Sequence, residues 1–349
     1  MNVSSHMPWN GLPGPLRTLA DRAALGGLIG GAAGLAIGLV TRGSIGSVAA
    51  FGVGGMLAGA GAAALPIARD IRHSQRVLDA PHPSQPAVDA RGGAHLRVMS
   101  VNIRSLRGAV GLVEERDALN QISSTIKRID PDVIVFQEVD SRTSRSRGAD
   151  QIGQIAKQVG ATDSQFVKSS DKFGGGYGQG IIVRHGLTID GSADAHALPA
   201  RTDDEEHRIA TESRIKLPDG RRFTMVGTHV TTVGVSRAGQ LAELESIVQQ
   251  AAQRHHDPVI LAGDFNDTPA HVDPVLTRNG LVDALTAAGV RPGTPERQSF
   301  ITGSEIDHVF VTPGVGVRQA WITGLGMAGV VEPATDHRAV VTDVTLPAG

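Results

Sequence analysis

The stretch ILAGDFNDTP, residues 260 to 269, places Asp264 and Asn266 two positions apart directly after an apolar run. Such a run reads as a buried strand, and Gly263 is a residue that lets something approach the backbone closely. Asp, Asn and Pro are also ordinary turn residues after a strand, so this stretch alone leaves two readings open. The rest of the chain decides between them.

From residue 95 onward, short β-rich runs alternate with amphipathic stretches, which predicts an α/β domain. The runs that read as strands are 96–103, 133–137, 180–184, 208–216, 222–230, 258–263, 307–312 and 338–345. Ile122, Ile126 and Ile129 mark one face of a helix over 114–129, and Leu241, Leu244, Ile247, Val248 and Ala251 mark one over 236–254. Strand after strand ends in, or opens on, residues that bind metal or move protons. LRVMSVNIRS carries Asn102, DVIVFQEVD carries Gln137 and Glu138, and FTMVGTHVTT carries His229. IDHVFVT opens with Asp307 and His308, and ATDHRAVV brings Asp336 and His337 to the last strand. Each alone has a plain explanation as a turn former, a solvated carboxylate or a core histidine. Repeated on successive apolar strands, they point to one polar site.

Composition narrows the classes. At 349 residues the chain has room for one large domain and an appendage, and its formal net charge is −2. Residues 1–94 hold 7 Lys/Arg and 4 Asp/Glu, leaving 26 and 31 for the larger part, which gives no strong electrostatic footprint for nucleic acid. With no cysteine, disulfides and thiolate metal sites are excluded. Aromatics make up 3% of the chain and Tyr177 is the only tyrosine, so a platform stacking several bases is hard to build.

Residues 23–68 differ sharply from the rest: two Gly/Ala-rich apolar arms flank TRGS, without a charge except Arg42. Each arm is long enough to cross a bilayer as a helix. Gly26, Gly30, Gly34 and Gly38, with Gly55 and Gly59 on the second arm, form stripes that let two helices approach. The alternative is a flexible tether or exported segment, because Gly and Ala contribute little to insertion. Arg17 and Arg22 before the first arm, and Arg69, Arg72 and Arg76 after the second, favour a hairpin with both ends cytoplasmic. The predicted organisation is a tail over 1–22, a transmembrane hairpin over 23–68, a linker over 69–94 and a second domain over 95–349. The Pro-rich LDAPHPSQPAVDARGG supports the linker.

The ordered set FQEVD, GTHV, GDFND, EIDHVF and TDHRAV resembles the endonuclease/exonuclease/phosphatase superfamily, which includes deoxyribonuclease I, apurinic endonucleases, inositol polyphosphate phosphatases and neutral sphingomyelinases. The resemblance covers residues 95–347, and DSRTSRSRGADQIGQIAKQVG and GGGYGQGIIVRHGL look closest to small bacterial metal-dependent members. THV stands where THL is usual, TDH where SDH is commoner, and GQGIIVR where an Ala and a Ser usually occur. EEHRIATESRI matches the family's Arg-containing segment only loosely, which makes Arg208 a candidate substrate-binding residue.

The resemblance implies a four-layer α/β sandwich, two mixed sheets face to face with helices outside, its site at one end. It also implies a hydrolase of phosphate esters. Mg²⁺, with Mn²⁺ as the alternative, takes oxygen ligands and few carboxylates, which suits Glu138 and Asn102 with Asp336 nearby. Asp264 and Asn266 are candidates for holding a second ion and for orienting nucleophile and phosphate, since residues i and i+2 of a strand point the same way. His337 is implied as the general base, oriented by Asp307, with His229 donating on the other side of phosphorus. Tyr177, in a Gly-rich loop, is a candidate phosphate donor, and His308 is expected to be structural.

The leading expectation is a Mg²⁺-dependent phosphodiesterase tethered to a membrane through residues 23–68, with its catalytic domain cytoplasmic. Its expected substrate is a lipid headgroup or small phosphodiester. The alternatives are a DNA endonuclease or exonuclease, to which Arg142, Arg145 and Arg147 would offer a basic patch, a phosphomonoesterase on inositol phosphates, or an inactive binding module.

Overall fold

The structure is a computed structural model in which residues 94–109, 111, 113–202, 204–324 and 333–348 are described. The tail, the hairpin at 23–68 and all but the last residue of the linker at 69–94 lie outside them, and among the described residues no helix is long and apolar enough to cross a membrane.

The strands are β1 (Ala94–Asn102), β2 (Val133–Ser141), β3 (Asp163–Lys172), β4 (Gly175–Val183), β5 (Thr188–Ile189), β6 (Asp194–Ala197), β7 (Ile209–Lys216), β8 (Arg222–His229), β9 (Val259–Asp264), β10 (Val282–Asp283), β11 (Asp307–Val311), β12 (Gly316–Thr323) and β13 (Ala339–Leu346). The helices are α1 (Glu115–Ile129), α2 (Gln151–Val159), α3 (Gly234–His255), α4 (Pro269–Leu276) and α5 (Ala284–Ala287). One sheet has the order β12-β13-β1-β2-β4-β3 and the other β10-β11-β9-β8-β7-β5, with β6 also on β7. β1–β2 and β8–β9 pair in parallel within otherwise antiparallel sheets, so both sheets are mixed.

Side-chain alternation turns these sheets into four layers. Leu96, Val98, Val133, Val135 and Ile181 of one sheet meet Phe223, Met225, Ile260, Ala262 and Val309 of the other in a central core. The intervening Met99, Val101, Ile134 and Phe136 face outward under α1 and α2. Val226, Leu261 and Phe310 likewise face Leu241, Leu244 and Val248 of α3. Central strands covered on both faces are apolar throughout, which is why β9 reads as an unbroken hydrophobic run. Cutting the fully buried Phe223 to Ala would cost about 3–5 kcal/mol.

The predicted strands all appear, with shifted ends. The 133–137 run continues to Ser141 through a bulge between Phe136 and Val139, at which Glu138 takes φ +54. Strand β4 begins at Gly175 rather than 180, so Tyr177 lies in a strand, not a loop. The glycines there allow close packing: a Cβ on Gly178 would fall 2.0 Å from the Val167 carbonyl oxygen. Gly263 is explained in the same way, since a Cβ would fall 2.1 Å from the Thr228 carbonyl oxygen of the neighbouring strand. What approaches it is backbone. The edge strands β3 and β12 were not legible because their half-buried residues show little hydrophobic contrast.

Candidate active site

The two faces of the sandwich decide where the polar residues go. Along β8, β9 and β11 the inward positions are Phe223 and Met225, Ile260 and Ala262, and Val309 and Val311. Continuing that alternation, by two residues to Asp264 and Asp307 and by four, through Gly227, to His229, puts all three on the inward face at one end of the sheet. Register makes them neighbours: Asp264 is the cross-strand partner of both His229 and Asp307. Asn102 ends β1 on the phase of Leu96 and Val98, and donates through Nδ2 to Asp264 Oδ2 at 3.0 Å across the gap between sheets.

Asp264 Oδ2 lies between two imidazoles, 3.5 Å from His229 Nε2 and 3.6 Å from His337 Nε2. The far nitrogens of these rings have opposite partners. His337 Nδ1 is 2.9 Å from Asp307 Oδ2, whereas Arg208 Nη1 donates to His229 Nδ1 at 2.7 Å. A carboxylate accepts, so neutral His337 carries its proton on Nδ1 and leaves Nε2 as an acceptor. A guanidinium only donates, so His229 carries its proton on Nε2 and is a donor.

The charges follow the same division. Burial, and then the Arg208 guanidinium, hold the His229 pKa well below the usual value. Burial also opposes charge on His337, but Asp307 and Asp264 outweigh it and hold its pKa up to about 10. Asp264 is pushed up to about 7 by burial and by the Asp307 carboxylate, with His337 and Asn102 pulling the other way. The site therefore concentrates more buried carboxylate than its own cations neutralise.

This excess makes the residues fit a divalent cation. Asn102 Nδ2 bridges Glu138 Oε1 and Asp264 Oδ2, both at 3.0 Å, and Asp307 Oδ1 is buried without a hydrogen-bond partner. Asp264, Asp307 and His337 bring ligand atoms within 4.8 Å of one another. Asp307 is already committed to His337, however, so the Glu138 and Asp264 carboxylates are the oxygens better suited to a hard ion, with Asn102 between them, its Nδ2 toward both and its Oδ1 accepting from the Arg104 N–H at 2.9 Å. Asp336 stands at the edge of this set, in an ion pair with Arg104 (Nε to Oδ2, 3.2 Å), and burial raises its pKa.

Other expected residues fall differently. Asn266 leaves the strand with φ +50, so the alternation argument for its direction does not hold. It clasps the loop instead: its backbone N–H donates to Asp264 Oδ1 and its Nδ2 to the Val230 carbonyl, each at 2.9 Å. Tyr177 is 5% exposed on the inward face of β4. Its pKa is raised by burial and by the nearby Glu138 and Glu206 carboxylates. His308 faces outward, donating from Nε2 to the Asp267 carbonyl at 2.9 Å, against Phe265 and Phe310.

The basic patch of Arg142, Arg145 and Arg147 loses its middle member. Arg145 forms two bonds to the Asp140 carboxylate, at 2.6 and 2.7 Å, and donates to Ser105 Oγ at 2.8 Å. That network supports a turn sequence reasoning missed. Arg104, Ser105 and Leu106, directly beyond Asn102, all adopt left-handed φ of +48, +52 and +57. Each such residue costs about 1 kcal/mol or more. Ser105 Oγ bonds the Glu138 carbonyl, Gln151 Nε2 donates to the Ser105 carbonyl, and Leu106 is fully buried, so the surroundings hold the turn. Thr335 was also missed; its Oγ1 donates to the Asn102 carbonyl at 2.8 Å and accepts from the His337 N–H at 3.3 Å. Nothing in RSL or TDH separates these residues from ordinary loop polarity.

The profile of the Endonuclease/Exonuclease/phosphatase family matches residues 99–337. A UPF0294 protein of Vibrio parahaemolyticus is 28% identical over 148 residues, covering 40% of this chain and 46% of the relative. The chain thus spans about half the length of the curated relatives it matches. Among solved structures, an endonuclease/exonuclease/phosphatase family protein from Bacteroides thetaiotaomicron superposes with TM-score 0.59 at 21% identity, covering 74% of this chain and 97% of that one. A mannosyl-6-phosphatase of the same organism gives 0.58 at 22% (71% and 99%), and the human Nocturnin catalytic domain with bound sulfate 0.58 at 19% (72% and 97%). At these identities the likeness is one of fold.

Proposed function

The chain belongs to the endonuclease/exonuclease/phosphatase family, and from that membership we propose that this hydrolase is a divalent-metal-dependent phosphodiesterase. One observation carries the reading: Asp264 is flanked by two imidazoles whose far nitrogens have opposite partners, giving one acceptor and one donor across a single pocket. In hydrolysis of a phosphate ester such a pair serves both ends of the reaction. His337 Nε2 accepts the proton of the attacking water while Asp307 holds its other nitrogen. His229 Nε2–H donates to a phosphoryl oxygen or the leaving oxygen. Asp264 orients water and phosphate between them, held by the Asn266 N–H behind it, and Tyr177 adds a hydroxyl donor beside Glu138.

Glu138, Asn102 and Asp264, with Asp336 at the edge, would hold Mg²⁺ or Mn²⁺. That ion supplies positive charge against the phosphoryl oxygens and offsets the carboxylate field that keeps His337 protonated.

The proposed substrate is a lipid headgroup or other small phosphodiester at a membrane to which residues 23–68 tether the domain on the cytoplasmic side. The uncharged Gly/Ala-rich arms support the tether, and the commitment of Arg145 to Asp140 weakens the case for a phosphate-backbone groove. Tethering also raises the effective concentration of headgroups at the site. The test is turnover with Mg²⁺, and with chelator, on bis(p-nitrophenyl) phosphate, phospholipid vesicles, inositol phosphates and supercoiled plasmid. Metal-dependent release from a diester is expected, faster from vesicles than from plasmid. Rapid plasmid nicking without headgroup release would make the enzyme a nuclease.

A further inference from the structure

The partner of His229 is the unusual feature of this site. The other imidazole, His337, is held by a carboxylate, whereas His229 Nδ1 receives a bond from Arg208 Nη1 at 2.7 Å. The same Nη1 lies 2.9 Å from Glu206 Oε1, and Glu206 in turn pairs with Lys172, whose ammonium sits 4.0 Å from the centre of the Tyr177 ring. Arg208 therefore stands behind His229, locked from the far side, with a side chain only 10% exposed. Its Nε is buried without an acceptor, so the bond to His229 is the directed contact it makes toward the site.

We propose that Arg208 is a positioning residue that fixes His229 as the Nε2–H tautomer and aims that donor at the reacting phosphate, instead of binding the phosphate itself. A neutral histidine can carry its proton on either nitrogen, and the partner of the far nitrogen makes the choice. A carboxylate at His229 would choose Nδ1–H and turn the ring into a second acceptor, leaving no imidazole donor for the leaving oxygen. The guanidinium, permanently charged and without an acceptor atom, makes the reverse choice and cannot relax from it. Glu206 and Lys172 act one step further back, since they hold Arg208 in line with the ring. This inference rests on the proposed phosphodiesterase reading for its catalytic consequence, but the tautomer itself does not.

The experiment has two arms on the full chain. Imidazole ¹⁵N–¹H correlation spectra of the unmodified protein should show His229 as the Nε2–H form; an Nδ1–H form would overturn the proposal outright. In Arg208→Met that signature should move toward a mixture of tautomers while the His337 signals stay in place, and Arg208→Lys should restore much of the original pattern. In the second arm, Arg208→Met should lower kcat for an alkyl phosphodiester, whose alkoxide leaving oxygen needs a proton, by about tenfold or more, with KM changed less than about threefold, and should lower it less for bis(p-nitrophenyl) phosphate, whose leaving group needs none. A raised KM at unchanged kcat would instead make Arg208 a phosphate contact. If no diester is turned over by the unmodified protein, the phosphodiesterase reading fails and the spectra still decide the role of Arg208. If Arg208→Met does not fold, the unmodified protein and Arg208→Lys carry the same test.

Discussion

His337 Nδ1 sits 2.9 Å from Asp307 Oδ2 with both side chains buried, while His308, one residue along β11, turns to the opposite face. His337→Ala should therefore lower kcat by about 10²- to 10⁴-fold with the fold intact. Asp307→Asn should cost at least about tenfold by misorienting the ring. His308→Ala should reduce stability through lost packing on Phe265 and leave kcat within a few-fold. Steady-state kinetics with thermal melts decide this; equal kcat losses at His308 and His337 would mean that the wrong histidine has been given the proton.

Glu138 stands where the bulge in β2 turns its carboxylate toward Asn102. Glu138→Gln keeps the shape and removes the charge, so Mg²⁺ affinity measured by calorimetry should fall by at least about tenfold, and turnover with it. Chelator should abolish turnover by the unmodified enzyme. Full activity in chelator would end the metal-dependent account.

Arg145 holds both Asp140, which is completely buried, and Ser105 of the left-handed turn. Removing it in Arg145→Ala strands a buried carboxylate, which should cost about 3 kcal/mol in urea unfolding. Arg142→Ala with Arg147→Ala should stay within about 0.5 kcal/mol, as expected for exposed side chains. Arg145→Ala that unfolds like the parent, but loses only plasmid binding, would restore the basic patch as a nucleic-acid contact.

Asp273 on α4 is pushed from 3.8 up to about 6 by burial and then by the Asp283 carboxylate. The folded protein thus holds this proton more tightly than the unfolded chain does. The resulting stabilisation is full below about pH 3.8 and is lost as pH rises through about 6. Asp273→Asn should be more stable than the parent by about 1 kcal/mol near pH 8, allowing for solvent screening of a half-exposed group, and equal to it near pH 4. Urea titrations across this range would refute the assignment if the gain were larger at the acidic end.

The tether has its own test. With residues 23–68 as a hairpin and both ends cytoplasmic, protease added to intact cells should spare the catalytic domain, and a protein starting near residue 92 should be soluble and active. Cleavage from outside would reverse the topology or reveal export.

Much of the site was legible because strand alternation is a local rule. An apolar run that ends on Asp264 or His229, or opens on Asp307, states which face the polar residue shares with core residues two or four positions away, and that face is the gap between the sheets. The rule stops where the chain leaves the strand. Asn266, at φ +50, obeys no alternation, and the bulge at Glu138 resets the phase of β2. Tyr177 was misplaced because glycines that permit close strand packing look, in sequence, like glycines that permit a loop.

By itself, then, the sequence determined the α/β layering and the polar residues ending the central strands, since hydrophobic period and residue type are written locally. Only the tertiary structure decided which neighbour each of those residues meets. The resemblance implied the donor and the base, but the residues alone could not fix them, because that depends on Arg208 lying against one ring and Asp307 against the other, residues 21 and 30 positions away brought in by strand pairing in the first case and by the packing of the two sheets in the second. Nor could Arg145 be read as a structural cation before its guanidinium was seen on Asp140 and Ser105, for a charge on a loop carries no sign of whether its partner is solvent, substrate or the protein's own buried carboxylate.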